Sequence, residues 1–185
     1  MTRGRNHGPV LVTWAVVLSL LGGCAWLDFE TADSVMKEGE QLYLDKKYDE
    51  AIAKFERAIE LDSTRWSAYV YIARCYMAKG SWTKAISNAR LACQAAPAGG
   101  DVVPTLAQAL WGGGMEAFKS GQSRDAISAF TEYLRLRPSD ASGYLELGRA
   151  FMRSGSVSDA VTAFRKALQL NPSLAEAADL LRGLR

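Results

Sequence analysis

The stretch AVTAFRKALQLNP, residues 160–172, occurs in altered form at three earlier places in the 185-residue chain. The related stretches are AIAKFERAIELD at 51–62, AISNARLACQAAP at 85–97 and AISAFTEYLRLRP at 126–138. Their leading alanines lie 34, 41 and 34 residues apart. A repeat of this length predicts stacked helix hairpins, each of which buries its apolar face only against a neighbour.

The residues at fixed positions within each unit resemble those of the tetratricopeptide repeat family. That family has an aromatic residue, Leu-Gly and a second aromatic in the first helix, followed by Ala, an aromatic, Ala and Pro in the second. The fourth unit matches with Tyr144, Leu147, Gly148, Phe151, Ala160, Phe164, Ala167 and Pro172. The second unit matches with Tyr69, Ile72, Ala73, Tyr76, Ala85, Ala92 and Pro97, and has Ala89 where the family prefers an aromatic.

The other two units keep fewer of these residues. The first keeps Gly39, Ala51, Phe55 and Ala58 but has Ser63 at the proline position. The third keeps Gly114, Ala126, Phe130 and Pro138 but has Leu110 and Ala117 in place of the first-helix aromatics.

The resemblance implies an all-α fold, a right-handed superhelical solenoid of about four helix hairpins. The units are expected at about 32–65, 66–99, 100–140 and 141–174, within a repeat region of 32–172. Residues 173–185 are expected to form a helix that caps the last hairpin, since terminal repeats must be covered. Its start at Ser173 has the pattern of a capping box, with Glu176 three positions later.

The third unit is irregular. It has seven extra residues, within AGGDVVP at 98–104, which either lengthen the connection or add turns to the first helix of the unit. Gly112, Gly113 and Gly114 then follow inside that helix, where each glycine costs about 0.5–1 kcal/mol relative to alanine. Two explanations of the glycines stand at this point: close packing of helices and a functional hinge.

The amino terminus has the layout of an export signal. A short positive region, MTRGRNHGP, precedes the apolar stretch VLVTWAVVLSLL at residues 10–21. Twelve helical residues rise about 18 Å, which is short of the ~30 Å hydrocarbon layer. A longer count of uncharged residues, to Leu27, leaves an uncleaved membrane anchor as an alternative.

The end of this stretch, Leu21-Gly22-Gly23-Cys24, resembles the lipobox of bacterial lipoproteins. The resemblance implies that residues 1–23 are a cleaved signal peptide, that the Cys24 thiol is acylated, with chains such as palmitate, and that residues 24–31 form a lipidated tether. Two or more acyl chains hold a protein on a membrane, where one chain binds only marginally. The alternative is an ordinary signal that ends in an unrelated cysteine.

Charge and composition narrow the function. Once Arg3 and Arg5 are removed with the signal, the remaining chain has no net charge, and nothing predicts a nucleic-acid partner. The only histidine is His7, in the same segment, so Ser/His/Asp and Cys/His sites and the commonest metal ligand are excluded. The repeat pattern places every Asp and Glu on a helix surface or at a cap. The expected protein is therefore no enzyme and has no metal, cofactor or small-molecule substrate.

The family resemblance also implies a binding surface, because its members hold peptides or partner helices against their first helices. Aromatic residues, methionine and arginine are favoured at binding hot spots. The aligned positions on these helices are Met36, Tyr43, Val70, Tyr71, Arg74, Met77, Trp111, Met115, Phe118, Leu145, Arg149, Met152 and Arg153. The asparagine and lysine pattern with which some members clamp a terminal carboxylate is missing.

Together the resemblances predict a lipid-anchored periplasmic scaffold that binds another envelope protein or a peptide segment of one. Ala25, rather than Asp, follows the cysteine, which by resemblance to enterobacterial sorting indicates the outer membrane. Similar lipoproteins help secretin or pilus complexes to assemble, or recruit cell-wall hydrolases or proteases. An enzyme that uses carboxylates is the remaining alternative.

Overall fold

The computed structural model describes residues 30–96 and 99–184, which form nine α-helices and no strand. The helices are α1 (Ala32–Leu44), α2 (Tyr48–Leu61), α3 (Trp66–Ala78), α4 (Trp82–Ala95), α5 (Val102–Lys119), α6 (Ser123–Leu136), α7 (Ala141–Ser154), α8 (Val157–Leu170) and α9 (Ala175–Gly183). The signal peptide, Cys24, Pro97 and Arg185 lie outside the described residues.

Consecutive helices pack as four hairpins, α1 with α2, α3 with α4, α5 with α6, and α7 with α8. The second helix of each hairpin packs on the first helix of the next, and α9 packs on α8. The all-α solenoid of four hairpins and a C-terminal helix is thus confirmed. In the described part of the chain, no helix is both long and apolar enough to span a bilayer.

In three of the hairpins, a glycine on the first helix faces a buried phenylalanine on the second helix. Phe55, Phe130 and Phe164 are fully buried, and each ring lies against a glycine of the partner helix. At Gly148, a β-carbon would stand 2.5 Å from the nearest ring carbon of Phe164. The missing side chain therefore lets the ring fill the space between the helices.

The second hairpin solves the same packing problem with two small residues. Ala73 and Ala89 are both fully buried, in one cluster with Leu106 and Leu110 of α5. The smaller Ala89 side chain leaves room that the two leucines of the next hairpin occupy. The loss of the aromatic at position 89 is thus matched by a change in the following unit.

The extra residues of the third unit lengthen α5 to 18 residues, against 13 in α1 and α3. Pro104 falls in its first turn, where its lack of a backbone donor costs nothing. The helix continues through Gly112–Gly114 without interruption. A β-carbon on Gly112 would lie 2.1 Å from the Trp82 ring, and one on Gly114 would lie 2.8 Å from Phe130. These contacts favour the close-packing explanation over the hinge.

The hairpin turns have a shared backbone geometry. Gly80, Gly121 and Gly155 have φ angles of 69°, 80° and 84°, the left-handed region that glycine enters without strain. In the first hairpin Lys46 takes this place, with a φ of 62°. Lys79-Gly80 and Ser154-Gly155 therefore turn the chain between the two helices of the second and fourth hairpins.

The ends of the array differ from each other. Thr31 begins α1 with a capping box, in which its hydroxyl accepts from the Ser34 backbone and the Ser34 hydroxyl accepts from Thr31. The capping box predicted at Ser173 is wrong, because Leu174 is the N-cap of α9 and makes no side-chain cap. The Ser173 hydroxyl instead donates to Asn171.

Candidate functional site

The first helices of successive hairpins lie side by side, and we call their shared surface the first-helix face. α1 contacts α3, and α3 contacts α5. Further along, Phe118 of α5 contacts Arg149 and Arg153 of α7. Three openings occur along this face. They are the places on the face where a segment of another chain has room to bind.

The α3 cleft is the opening between α1, α3 and α5, with a volume of about 510 Å³. Its lining residues are Tyr43, Arg74, Met77, Ala78, Trp82 and Gln108. The Arg74 guanidinium lies 5.6 Å from the centre of the Tyr71 ring and also donates to Asp101, at 3.2 Å. Because Asp101 is the N-cap of α5, this ion pair ties α3 to the next first helix.

The α5 cleft lies between α5 and the start of α7 and has a volume of about 550 Å³. Its lining residues are Pro104, Ala107, Gln108, Trp111, Tyr133, Arg137, Asp140 and Ser142. The Trp111 ring packs 5.7 Å from Phe130 and 5.2 Å from Tyr133, centre to centre. Trp111 is therefore both a wall of the cleft and part of the hairpin packing, so its removal would affect stability as well as binding.

Tyr133 and Asp140 give this cleft a fixed polar edge. The Tyr133 hydroxyl donates to the Asp140 carboxylate, whose other oxygen accepts from the backbone of Ser142 and Gly143 and so caps α7. Burial, together with the neighbouring carboxylate, raises the pKa of Tyr133 to about 12. The tyrosine stays protonated and keeps donating near neutral pH.

The α7 socket is the third opening, about 310 Å³ in volume. Its lining residues are Phe118, Arg149, Met152, Arg153 and Leu180. Four of these five were predicted from the sequence. Leu180 comes from α9, so the terminal helix both covers the last hairpin and extends the first-helix face.

Three predicted binding residues are buried instead of lining an opening. Met36 and Leu145 are each 6% exposed, and Val70 is 1% exposed. Met36 packs with Phe55, Leu145 packs with Phe164, and Val70 packs with Val102 of the next hairpin. Met36 and Leu145 thus pack within their own hairpins and Val70 packs against the next one, so the structure places all three in the core.

Two further predicted residues are half-buried in packing contacts and line none of the three openings. Tyr71 stacks on Phe55, with the ring centres 5.0 Å apart and the planes 17° from parallel. Met115 packs against the cluster around Phe130. Both side chains therefore contribute to the packing under the first-helix face and not to its openings.

Among the described residues, Glu146 is the acidic residue that the repeat pattern places wrongly, since it is 9% exposed and not on the surface. One carboxylate oxygen lies 3.3 Å from Arg149, and the other has no hydrogen-bond partner. Burial raises the pKa of Glu146, and the nearby Arg149 opposes that shift. Arg149 also lies 3.3 Å from Glu176 in the first turn of α9.

Arg74 of α3 and Arg149 of α7 thus have the same arrangement. Arg74 reaches Asp101 at the start of α5, and Arg149 reaches Glu176 at the start of α9. The first ion pair joins two first helices, and the second joins the last first helix to the C-terminal helix. Each pair balances part of the charge of an arginine on the first-helix face. Arg153 has no carboxylate partner within residues 30–96 and 99–184.

The described residues hold no group of three or more His, Cys, Asp or Glu side chains placed to share a metal ion. Cys75 is fully buried, and this burial raises the pKa of its thiol to about 11. Since the thiolate is the reactive form, Cys75 is not a nucleophile near neutral pH.

Sequence reasoning missed ten residues that line the openings: Ala78, Trp82, Pro104, Ala107, Gln108, Tyr133, Arg137, Asp140, Ser142 and Leu180. Trp82 lies at the start of a second helix and enters the face only because Gly112 leaves room for its ring. Gly112 was the available signal, but its partner lies thirty positions away in the chain. Leu180 belongs to α9, which the repeat alignment does not cover.

Comparison with known proteins gives two family matches. Residues 112–175 match a family model described as "Tetratricopeptide repeat". Residues 43–101 match one described as "Regulator of microtubule dynamics protein 1-3". No curated protein matches the chain.

Similar solved structures include MamA, residues 41 to the end, from Desulfovibrio magneticus RS-1. That structure is 14% identical, with a TM-score of 0.56, and the match covers 83% of this chain and 82% of that one. Another MamA crystal structure is 20% identical, with a TM-score of 0.54 and coverage of 80% and 85%. A tetratricopeptide protein of Thermus thermophilus, TTC0263, is 23% identical, with a TM-score of 0.45 and coverage of 83% and 81%. At these identities the likeness to MamA shows the fold alone.

Proposed function

Because the chain is a tetratricopeptide-repeat protein, we propose that it is a noncatalytic scaffold that binds a segment of another protein along its first-helix face. The observation that carries this proposal is the row of three openings, which are lined by partly exposed aromatic, methionine and arginine side chains. Such residues dominate the energetics of protein interfaces. Ion pairs join α3 to the start of α5 and α7 to α9, so the face is preorganised and loses little freedom on binding.

A photo-crosslinking residue placed at Met77, in the α3 cleft, tests this proposal in intact cells. We expect a discrete adduct with one partner protein from that position. Leu91 is the matched control, because it is an exposed apolar residue on the second helix α4. Adducts of equal yield from positions 77 and 91 would contradict binding at the first-helix face.

A matching substitution, Met77→Glu, is expected to weaken partner binding about tenfold or more, since a charge would be placed in an apolar contact. Titration calorimetry with the isolated partner would compare the affinity of the purified variant with that of the wild type. Met77 is only half-buried, so the thermal unfolding of the variant should stay close to that of the wild type. Unchanged affinity would remove the α3 cleft from the binding surface.

The second part of the proposal is the location. Through the lipobox resemblance, we propose that acyl chains on Cys24 hold the scaffold on the outer membrane, facing the periplasm, next to an envelope protein. A tether raises the local concentration of the scaffold, so modest affinity at the first-helix face suffices. Assembly of a secretin or pilus complex fits this role, as does recruitment of a cell-wall hydrolase or protease.

Cys24→Ser is expected to move the protein from the membrane fraction to the soluble periplasmic fraction, because the acyl attachment atom is lost. Fractionation followed by immunoblotting measures this. Cys93→Ser is the control and should remain in the membrane fraction. Mass spectrometry of the wild-type protein should find acyl chains on Cys24, and an unmodified Cys24 would end the lipoprotein proposal.

A further inference from the structure

The α7 socket differs in chemistry from the other two openings of the first-helix face. The α3 and α5 clefts mix apolar side chains with amide, hydroxyl and carboxylate groups. The surface inside the α7 socket is almost entirely apolar, formed by Phe118, Met152, Leu180 and the stems of two arginines. Its volume of about 310 Å³ is at the low end of ligand sites, which suits one large apolar side chain.

Positive charge is held at the mouth of this socket. The guanidinium carbons of Arg149 and Arg153 lie 5.4 Å and 5.3 Å from the centre of the Phe118 ring. Arg153 also donates to the Phe118 carbonyl, at 2.5 Å. Contact with the aromatic face holds both side chains beside the opening, and the carbonyl oxygen adds a second contact for Arg153.

The two arginines differ in how far their charge is balanced. Arg149 lies between Glu146 and Glu176, at 3.3 Å from each. Arg153 is exposed, and within the described residues its hydrogen-bond partner is a neutral carbonyl, not a carboxylate. A carboxylate that approaches the socket would therefore meet one unbalanced guanidinium at its rim, with donors free to bind it.

From the charge and shape together we propose that the α7 socket binds an acidic segment of the partner protein, by inserting one apolar side chain whose neighbouring carboxylate pairs with Arg153. This assignment rests on the proposed scaffold function and adds the chemistry of the segment that is bound. Insertion of the side chain between Phe118, Met152 and Leu180 removes apolar surface from water, and the ion pair sets the sign of charge that is accepted.

The test uses the full-length protein in detergent and three labelled nonapeptides, measured by fluorescence anisotropy. The first peptide has one leucine flanked by two glutamates on each side. The second has lysines for the glutamates, and the third has serine for the leucine. We expect the first to bind at least tenfold more tightly than either of the others, and its affinity to fall as salt is raised.

Variants of the protein locate the binding. Arg153→Glu should weaken the acidic peptide at least tenfold, and Leu180→Glu should do the same by placing a charge inside the socket. Arg165→Glu is the matched control, because it makes the same charge change at an exposed position of the second helix α8. It should change the affinity less than about twofold, as expected for a charge outside the binding surface.

Three outcomes overturn the assignment: no binding of the acidic leucine peptide at about 1 mM, equal binding of the lysine peptide, or equal loss in Arg153→Glu and Arg165→Glu. A concentration-dependent dimer that Leu44→Ser abolishes would assign the socket to a second copy of the chain, since Leu44 is 70% exposed and Asp45 follows it. If the crosslink from position 77 persists in these cases, the scaffold function stands and the socket assignment alone is wrong.

Discussion

Phe164→Ala is expected to lower the free energy of unfolding by about 3–5 kcal/mol, the range for removal of a buried aromatic ring. The Phe164 ring has no solvent exposure and lies in one cluster with Leu145 of α7 and with Ala177 and Leu181 of α9. Its loss therefore leaves a cavity where three helices meet. Urea denaturation of the purified protein, followed by far-ultraviolet circular dichroism, measures the change.

A double-mutant cycle with Gly148→Ala tests the reason for this effect. Alone, Gly148→Ala should cost about 1–3 kcal/mol, because its β-carbon would stand 2.5 Å from the Phe164 ring. In the presence of Phe164→Ala that clash is gone, and the double variant should cost at least about 1 kcal/mol less than the sum of the single changes. Additive costs would show that the glycine and the ring do not constrain each other.

Gly112→Ala and Gly113→Ala are expected to change stability in opposite directions, although they are adjacent in one helix. Both gain about 1 kcal/mol of helix propensity. At position 112 the new β-carbon would stand 2.1 Å from the Trp82 ring, which has to move, so a net loss of about 1–2 kcal/mol is expected. At position 113 it meets the flexible end of the Ile86 side chain at 3.0 Å and the Trp82 β-carbon at an ordinary contact distance of 3.4 Å, so a net gain of up to about 1 kcal/mol is expected.

Thermal unfolding of the two variants decides between the two explanations of the glycine run. Close packing predicts that the Gly113→Ala variant is at least as stable as the wild type and retains partner binding. A hinge instead predicts that both variants impair binding while both gain stability, since either alanine would stiffen α5. That second pattern would contradict the close-packing explanation.

Much of the fold was predictable because the repeat encodes pairs of residues that must touch. Gly148 and Phe164 are an example, since a missing side chain on one helix and an aromatic ring on the other define how closely the two approach. The hairpin turns at Gly80 and Gly155 were predictable for a similar reason, as a left-handed backbone is strained for other residues. Both are local rules, and each is present in three of the four units.

The binding surface was less predictable, because helical spacing identifies the side of a helix but not what covers it. Val70 and Arg74 both lie on the expected side of α3, one turn apart. Val102 of the following hairpin covers Val70, while Arg74 stays at the edge of the α3 cleft. Glu146 was wrongly predicted to be exposed for the same reason, because the repeat pattern assumes that charged residues face water, whereas neighbouring helices cover this one.

The capping box predicted at Ser173 failed because two short polar side chains compete within three positions. Asn171 accepts both the backbone N–H and the hydroxyl of Ser173, which forms a turn of its own before α9 begins. The hydrophobic residues Ala177 and Leu181 still place the helix on the last hairpin. Packing therefore determined the helix, and the cap was dispensable.

The first hairpin makes its main tertiary contacts with α3, through both α1 and α2. A pulling force applied at residue 30 would reach α1 before any other helix. Mechanical load would thus detach the α1–α2 hairpin as a unit and expose the ring of Phe55, while the openings lined by α5, α7 and α9 stay assembled. Such a chain would yield under tension in steps, starting from the α1–α2 hairpin.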